Sequence, residues 1–253
     1  MTDTHKKRKR NDNHNDNDSD KNDDSMQRIQ EVEDLLSVLT HLEDLNRKLA
    51  SCVISEGHAG QVVRQVADLS QLVKGHKRIL EIGFNAGHSA VTFLASTDTD
   101  VTVTSVDLGE HMQTVPVAKE FIDQTFPNRH TLVLGDSRKV LSEEWVEKPE
   151  SLVKGTFDFV FIDGGHAYDV ALADFHHCFN HWWDKKALQR TLAMDDIWFH
   201  DGPENFTTGP TTVWREQVLR PFSDPESELS REEYATHYRL YREARGMAWL
   251  QKK

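Results

Sequence analysis

Apolar residues along this chain follow two rhythms. Between positions 78 and 194, short runs rich in branched and aromatic side chains alternate with stretches of helical spacing. Arg78-Ile-Leu-Glu-Ile82, Val101-Thr-Val-Thr-Ser-Val106, Thr131-Leu-Val-Leu134, Phe157-Asp-Phe-Val-Phe-Ile162 and Leu192-Ala-Met194 read as strands. Ala90 to Ala95, Val117 to Thr125 and the amphipathic stretch from Asp174 to Trp183 read as helical. Such alternation predicts an α/β fold: a doubly wound, Rossmann-like and mostly parallel sheet with helices on both faces. His237 to Tyr241 and Gly246 to Leu250 predict a closing antiparallel strand pair. Upstream, Ile29, Val32, Leu35, Leu36, Leu39 and Leu42 recur at helical spacing from Met26 onward, and a second helix is expected over Gln61 to Val73.

Residues Met1 to Ser25 break both rhythms. They are nearly devoid of apolar side chains, with a basic cluster Lys6-Lys-Arg-Lys-Arg10 followed by an Asn/Asp-rich tract, and are expected to be disordered because they have too little to bury against chain entropy. The cluster is either a solubilising tail or a nuclear-targeting signal. The remaining chain divides into N-terminal helices over 26–74, a core over 75–205 and a C-terminal helix and hairpin over 206–253, all in one domain. The 253 residues, 37% of them hydrophobic, suffice for one sizeable core. A formal charge of -12 disfavours a duplex-binding surface. Two cysteines, Cys52 and Cys178, make no disulfide framework, and no stretch resembles a signal peptide or membrane span, so a cytoplasmic location is expected. A homodimer through the helix over Met26 to Ala50 is an open option.

Candidate chemistry gathers at the ends of the strands, where open α/β sheets bind ligands. Ile79 to Ser89 is an apolar strand followed by glycines 83 and 87 and then a helix. Its Gly-x-x-x-Gly spacing departs from the dinucleotide fingerprint. Glu81, just before the first glycine, would repel a pyrophosphate but suits the ammonium group of a methionine moiety. Asp107 ends the second strand, where an acid accepts hydrogen bonds from ribose hydroxyls. Asp136 and Ser137 follow the third, on the adenine side. The fourth runs into Asp163-Gly-Gly-His166-Ala-Tyr168 and the fifth into Asp195-Asp196. If those two strands are neighbours, three carboxylates converge, and a hard divalent cation such as Mg²⁺ would relieve their repulsion. His200-Asp201 is a rival for the acidic pair. His176, His177 and His181 are read as helix surface or core.

Leu-Glu-Ile-Gly-x-x-x-Gly-x-Ser over positions 80–89, with Asp107 and Asp136, resembles the first motifs of class I S-adenosylmethionine-dependent methyltransferases, especially the catechol O-methyltransferase branch. Phe-Ile-Asp-Gly-Gly-His-Ala-Tyr over 161–168 is similar to the metal-dependent sugar and macrolide O-methyltransferases and to cephalosporin hydroxylase-like proteins. The resemblance implies a cofactor site of Glu81, Gly83, Phe84, Asn85, Gly87, His88, Ser89, Asp107, Asp136, Ser137 and Asp163, with Mg²⁺ on Asp163, Asp195 and Asp196. It implies His166 as general base and a small-molecule hydroxyl acceptor. The Gly-Gly turn usual before the fifth strand is absent; Lys186 to Thr191 stands there. The N-terminal helices, the Asn205 to Pro210 loop and Trp214 are expected to wall the acceptor site. A metal-independent methyltransferase, a catalytically silent cofactor-binding module and an NAD-dependent oxidoreductase are the competing readings.

Overall fold

The five apolar runs form the parallel strands of one sheet, the central ones buried on both faces and the third, at the edge, only in part. In the computed structural model, which describes residues 17–52, 62–145, 151, 153–199, 205–224, 227, 229, 231–241 and 245–253, these are β1 (Arg78–Ile82), β2 (Thr102–Asp107), β3 (His130–Leu134), β4 (Phe159–Ile162) and β5 (Thr191–Met194). Two further strands, β6 (Tyr234–Leu240) and β7 (Gly246–Lys252), close the sheet. The order is β3-β2-β1-β4-β5-β7-β6, with β7 antiparallel to both of its neighbours. The basic cluster Lys6 to Arg10 and the rival pair His200-Asp201 lie outside the described residues.

Alternation along the strands sorts side chains into two cores. Ile79, Phe159, Phe161 and Ala193 face one side; Leu80, Ile82, Val160, Ile162 and Leu192 face the other. Each such fully buried aliphatic or aromatic side chain contributes roughly 1.5–3 kcal/mol. The first side is covered by α1 (Asn17–Leu49), α2 (Val63–Leu72), α3 (His88–Ala95) and α4 (Thr114–Thr125). On the second lie α5 (Ser137–Val140), α6 (Tyr168–His177) and α7 (Thr208–Trp214).

Two expectations about the helices are corrected. The first helix starts at Asn17 and not at Met26, and its buried stripe is Val38, Leu42, Leu45 and Leu49, packed on α3 and α4. Ile29, Val32 and Leu36 are exposed. Trp214, expected to wall the acceptor site, is 1% exposed and sits in the core beneath α7 with Val213 and Val218. Among the described residues no helix is long and apolar enough to cross a membrane.

Strand order decides where a ligand can sit. The chain winds outward through β2 and β3 on one side of β1 and through β4 and β5 on the other, so the loops after β1 and β4 part and leave a crevice at their carboxyl ends.

Candidate active site

The crevice opens into a cavity of about 1000 Å³ lined by the ends of β1 to β4, the loop after β5, and Val62, Phe206 and Arg245. Gly83 explains how β1 and β4 come so close there. Its φ is +93°, and a Cβ at this position would lie 1.9 Å from the backbone oxygen of Asp163. Only glycine tolerates both the angle and the approach. The backbone amides of Phe84 and Asn85 then point at one oxygen of Asp107, at 2.8 and 2.9 Å, while its other oxygen accepts from Gly109 at 2.7 Å. In this structure Asp107 therefore spends three acceptor sites fixing the glycine loop and the start of the following loop. The ribose role expected for it has to share these lone pairs.

Glu81 is fully buried beneath the loop. Burial pushes its carboxyl up to about 7; hydrogen bonding from Ser105 and the nearby Ser89 oppose this, and the Asp107 charge adds to it. Ser105 donates to Oε2, while Oε1 is buried without a hydrogen bond of ordinary geometry. Sequence reasoning found Glu81 but missed Ser105 and His130, which stand behind it: Ser105 lies opposite Glu81 in the β1–β2 register, and Nε2 of His130 is 2.9 Å from its hydroxyl.

Glu81 lies behind the cavity lining, whereas most of the other expected cofactor residues border the cavity itself. His88 and Ser89 begin α3, and Nε2 of His88 meets Asn46 of α1 at 2.8 Å. Asp136 caps α5 through the amide of Arg138 and pairs with its guanidinium at 3.0 Å, which holds the carboxyl below its ordinary range. Behind the Gly164-Gly165 turn lies Asp174 of α6, buried and unanticipated; burial pushes its carboxyl up to about 6.

At the far end of the cavity, ligand atoms of Asp163, His166 and Asp196 lie within 4.8 Å of one another. Nε2 of His166 is 2.9 Å from Oδ2 of Asp196, and Nε of Arg245 is 3.7 Å from Oδ1. Gly209 of α7 sets the His166 loop: a Cβ there would lie 2.1 Å from the backbone oxygen of His166, so α7 packs directly on that backbone. Asp195 is beside the same group but is held by Gln65 of α2, whose amide donates to Oδ2 at 2.6 Å. Asp195 and Asp196 each retain a buried Oδ1 without a hydrogen-bond partner, and with Asp163 they border a second, small cavity. Burial and the charges of Asp195 and Asp196 raise the Asp163 carboxyl well above its ordinary range, and burial followed by the Asp196 charge brings Asp195 up to about 7. Two orphaned carboxylate oxygens beside a third acid form a donor set that fits a divalent cation. His176, His177 and His181 stand apart from it: His176 contacts Gln217, and the rings of His177 and His181 lie 6.3 Å apart.

Residues 80–197, which carry every strand of the parallel half except the first two residues of β1, match the model of a methyltransferase-domain family. Solved structures of similar architecture include the O-methyltransferase TomG from Streptomyces achromogenes in complex with SAM, at 14% identity over 85% of this chain and 89% of that one, with a TM-score of 0.58. An O-methyltransferase from Bacillus cereus in complex with SAH shares 16% identity over 86% and 91% of the two chains, with a TM-score of 0.58. The chain has the class I methyltransferase fold. A SAH-bound methyltransferase of this fold, PaMTH1 from Podospora anserina, covers 95% of this chain and 98% of its own at 16% identity and a TM-score of 0.53. The resemblance is to the S-adenosylmethionine-dependent, O-methyltransferase-like form of the fold. A search of curated proteins finds no match.

Proposed function

We propose that this protein transfers a methyl group from S-adenosylmethionine to a hydroxyl of a small molecule, assisted by a hard divalent cation such as Mg²⁺. The observation that carries the reading is a cavity lined by the glycine loop, with the buried carboxyl of Glu81 beneath that loop, and the Asp163–His166–Asp196 cluster at its other end. The cofactor complexes of the solved structures named above support the first half of this assignment. A pyrophosphate is disfavoured at the loop by the same carboxyl that suits an ammonium group.

The sulfonium supplies an already activated methyl group, and the cation, held by Asp163, Asp195 and Asp196, supplies Lewis acidity to the acceptor oxygen. The chain itself does the positioning and the proton transfer. Glu81 would engage the amino-acid end of the cofactor, and Asp107, Asp136 and Ser137, which line the cavity, would border its nucleoside side. Asp196 accepts a hydrogen bond from Nε2 of His166, which fixes the ring, and His166 would serve as general base toward the acceptor hydroxyl. Phe206, whose ring centroid is 5.6 Å from that of His166, and Arg245 border the acceptor position. Among the described residues of the N-terminal segment, Val62, just before α2, reaches the cavity.

The test is transfer of labelled methyl from S-adenosylmethionine to a panel of catechols, phenols, sugars and polyketides, with Mg²⁺ and in excess chelator. Transfer to hydroxyl oxygen that stops in chelator is the expected result. Undiminished transfer in chelator overturns the role of the cation, and labelling of nitrogen or carbon overturns the hydroxyl acceptor.

A further inference from the structure

One polar chain crosses the apolar face of the sheet beneath the cofactor loop. Glu81 on β1, Ser105 on β2 and His130 on β3 are 0%, 0% and 9% exposed, among Ile79, Val103, Phe159 and Phe161 of the same core. Ser105 has one hydroxyl proton and donates it to Oε2 of Glu81. The contact of 2.9 Å between that hydroxyl and Nε2 of His130 therefore needs a proton on Nε2, so His130 donates to Ser105 and Ser105 donates to Glu81. His130 stays neutral throughout the ordinary pH range, because burial and then the Lys119 charge push it down to about 3, against the Asp123 charge. Its ring stacks on Phe84 of the glycine loop with centroids 5.2 Å apart, which ties the donor chain to the loop.

A chain of donors that ends on a carboxylate favours the charged form. Around Glu81 the other groups that bear on this charge are Ser89 of α3, Asp107 at the end of β2 and Asp163 at the end of β4, and none of them is cationic. The side chain is thus prepared to be negative in a buried place where the described residues bring no positive partner, with Oε1 left without a hydrogen bond of ordinary geometry. Three buried polar groups in an apolar layer are costly unless they serve one another or a ligand. We propose that Ser105 and His130 are positioning residues that hold Glu81 ionised for a cationic amino-acid ligand, so that they select the methionine end of the cofactor and not its nucleoside. This deepens the methyltransferase reading and rests on it.

The test compares S-adenosylhomocysteine with 5′-methylthioadenosine, which keeps the nucleoside and thioether but lacks the ammonium and carboxylate groups. Calorimetry is run on the full chain and on Ser105→Ala, Ser105→Thr and His130→Gln between pH 6 and pH 8.5. Loss of one donor to the carboxylate moves its titration up by about one pH unit. Ser105→Ala is then expected to weaken S-adenosylhomocysteine about 10-fold at pH 6 and by less than about twofold at pH 8.5, with methylthioadenosine unchanged. Ser105→Thr, which keeps the hydroxyl, restores the profile, and His130→Gln falls between. In the wild type, binding of S-adenosylhomocysteine releases a proton at pH 6, seen by comparing buffers of different ionisation enthalpy, and methylthioadenosine releases none; this holds even if Ser105→Ala does not fold. Equal losses for both ligands, a loss independent of pH, or no proton release overturns the proposal while leaving cofactor binding intact. A wild type that binds neither ligand overturns the methyltransferase reading and the relay with it.

Discussion

Replacing Glu81 with glutamine should stabilise the ligand-free protein, and by an amount that depends on pH. The carboxyl rises from 4.5 to about 7 on folding, chiefly through burial. For an acid whose folded pKa is raised, the stability is fully present below the unfolded value and lost as pH climbs through the folded one. The loss here begins near pH 4.5 and is complete above about pH 7. A shift of about 2.5 units corresponds to about 3 kcal/mol. Glutamine keeps an oxygen for Ser105 and carries no charge, so its stability should lack this slope. Between pH 5 and pH 8 the difference in unfolding free energy between Glu81→Gln and wild type should grow in favour of the variant by about 2.5 kcal/mol, or about 5–10 °C in Tm for a domain of this size. Denaturant titrations and thermal melts at both pH values measure it. Asp195, also brought up to about 7, is present in both proteins, and the difference reports Glu81 together with its charge's effect on the raised Asp163 carboxyl. A gap in stability that is the same at pH 5 and pH 8 refutes the reasoning.

Other substitutions probe the remaining links. Gly83→Ala places a Cβ 1.9 Å from the Asp163 backbone at a φ of +93°, so β1 and β4 must part; a destabilisation above about 3 kcal/mol and loss of S-adenosylhomocysteine binding are expected by denaturation and calorimetry. His166→Ala should lower turnover by about two to four powers of ten while S-adenosylhomocysteine affinity stays within about threefold, as read from single-turnover kinetics and calorimetry. Gln65→Leu strips the donor from Oδ2 of Asp195, and unfolding free energy should fall by about 1–3 kcal/mol. Because that carboxyl is already raised to about 7 and the variant raises it further, the deficit should be larger at pH 8 than at pH 6 in denaturant titrations.

The features legible in the chain are those with a local cause. Strands buried on both faces must be continuous apolar runs, and a ligand loop between strand and helix needs glycine, so β1 to β5, Gly83 and Asp163-Gly-Gly-His166 stand out at once. What escaped depends on register and on packing between distant segments. Ser105 looks like any serine in a strand rich in threonine and valine until the β1–β2 register sets it opposite Glu81. Gln65 reads as helix surface until α2 is laid over the end of β5, 130 residues away. The helical spacing of α1 runs through Ile29, Val32 and Leu36 as well as Leu42, and only its packing on α3 and α4 decides that Val38, Leu42, Leu45 and Leu49 are buried while Ile29, Val32 and Leu36 are not. Arg245 borders the cavity only because β7 inserts between β5 and β6, which its neighbouring residues do not announce.

The central claim is that a buried acid beneath a tight glycine turn selects a cationic, amino-acid-bearing nucleoside over a diphosphate. Equilibrium dialysis of labelled S-adenosylmethionine against the full chain, with NAD as competitor, tests it most directly. The label is expected to be retained in the micromolar range and undisturbed by millimolar NAD. Failure to retain the label, or its displacement by NAD, contradicts it.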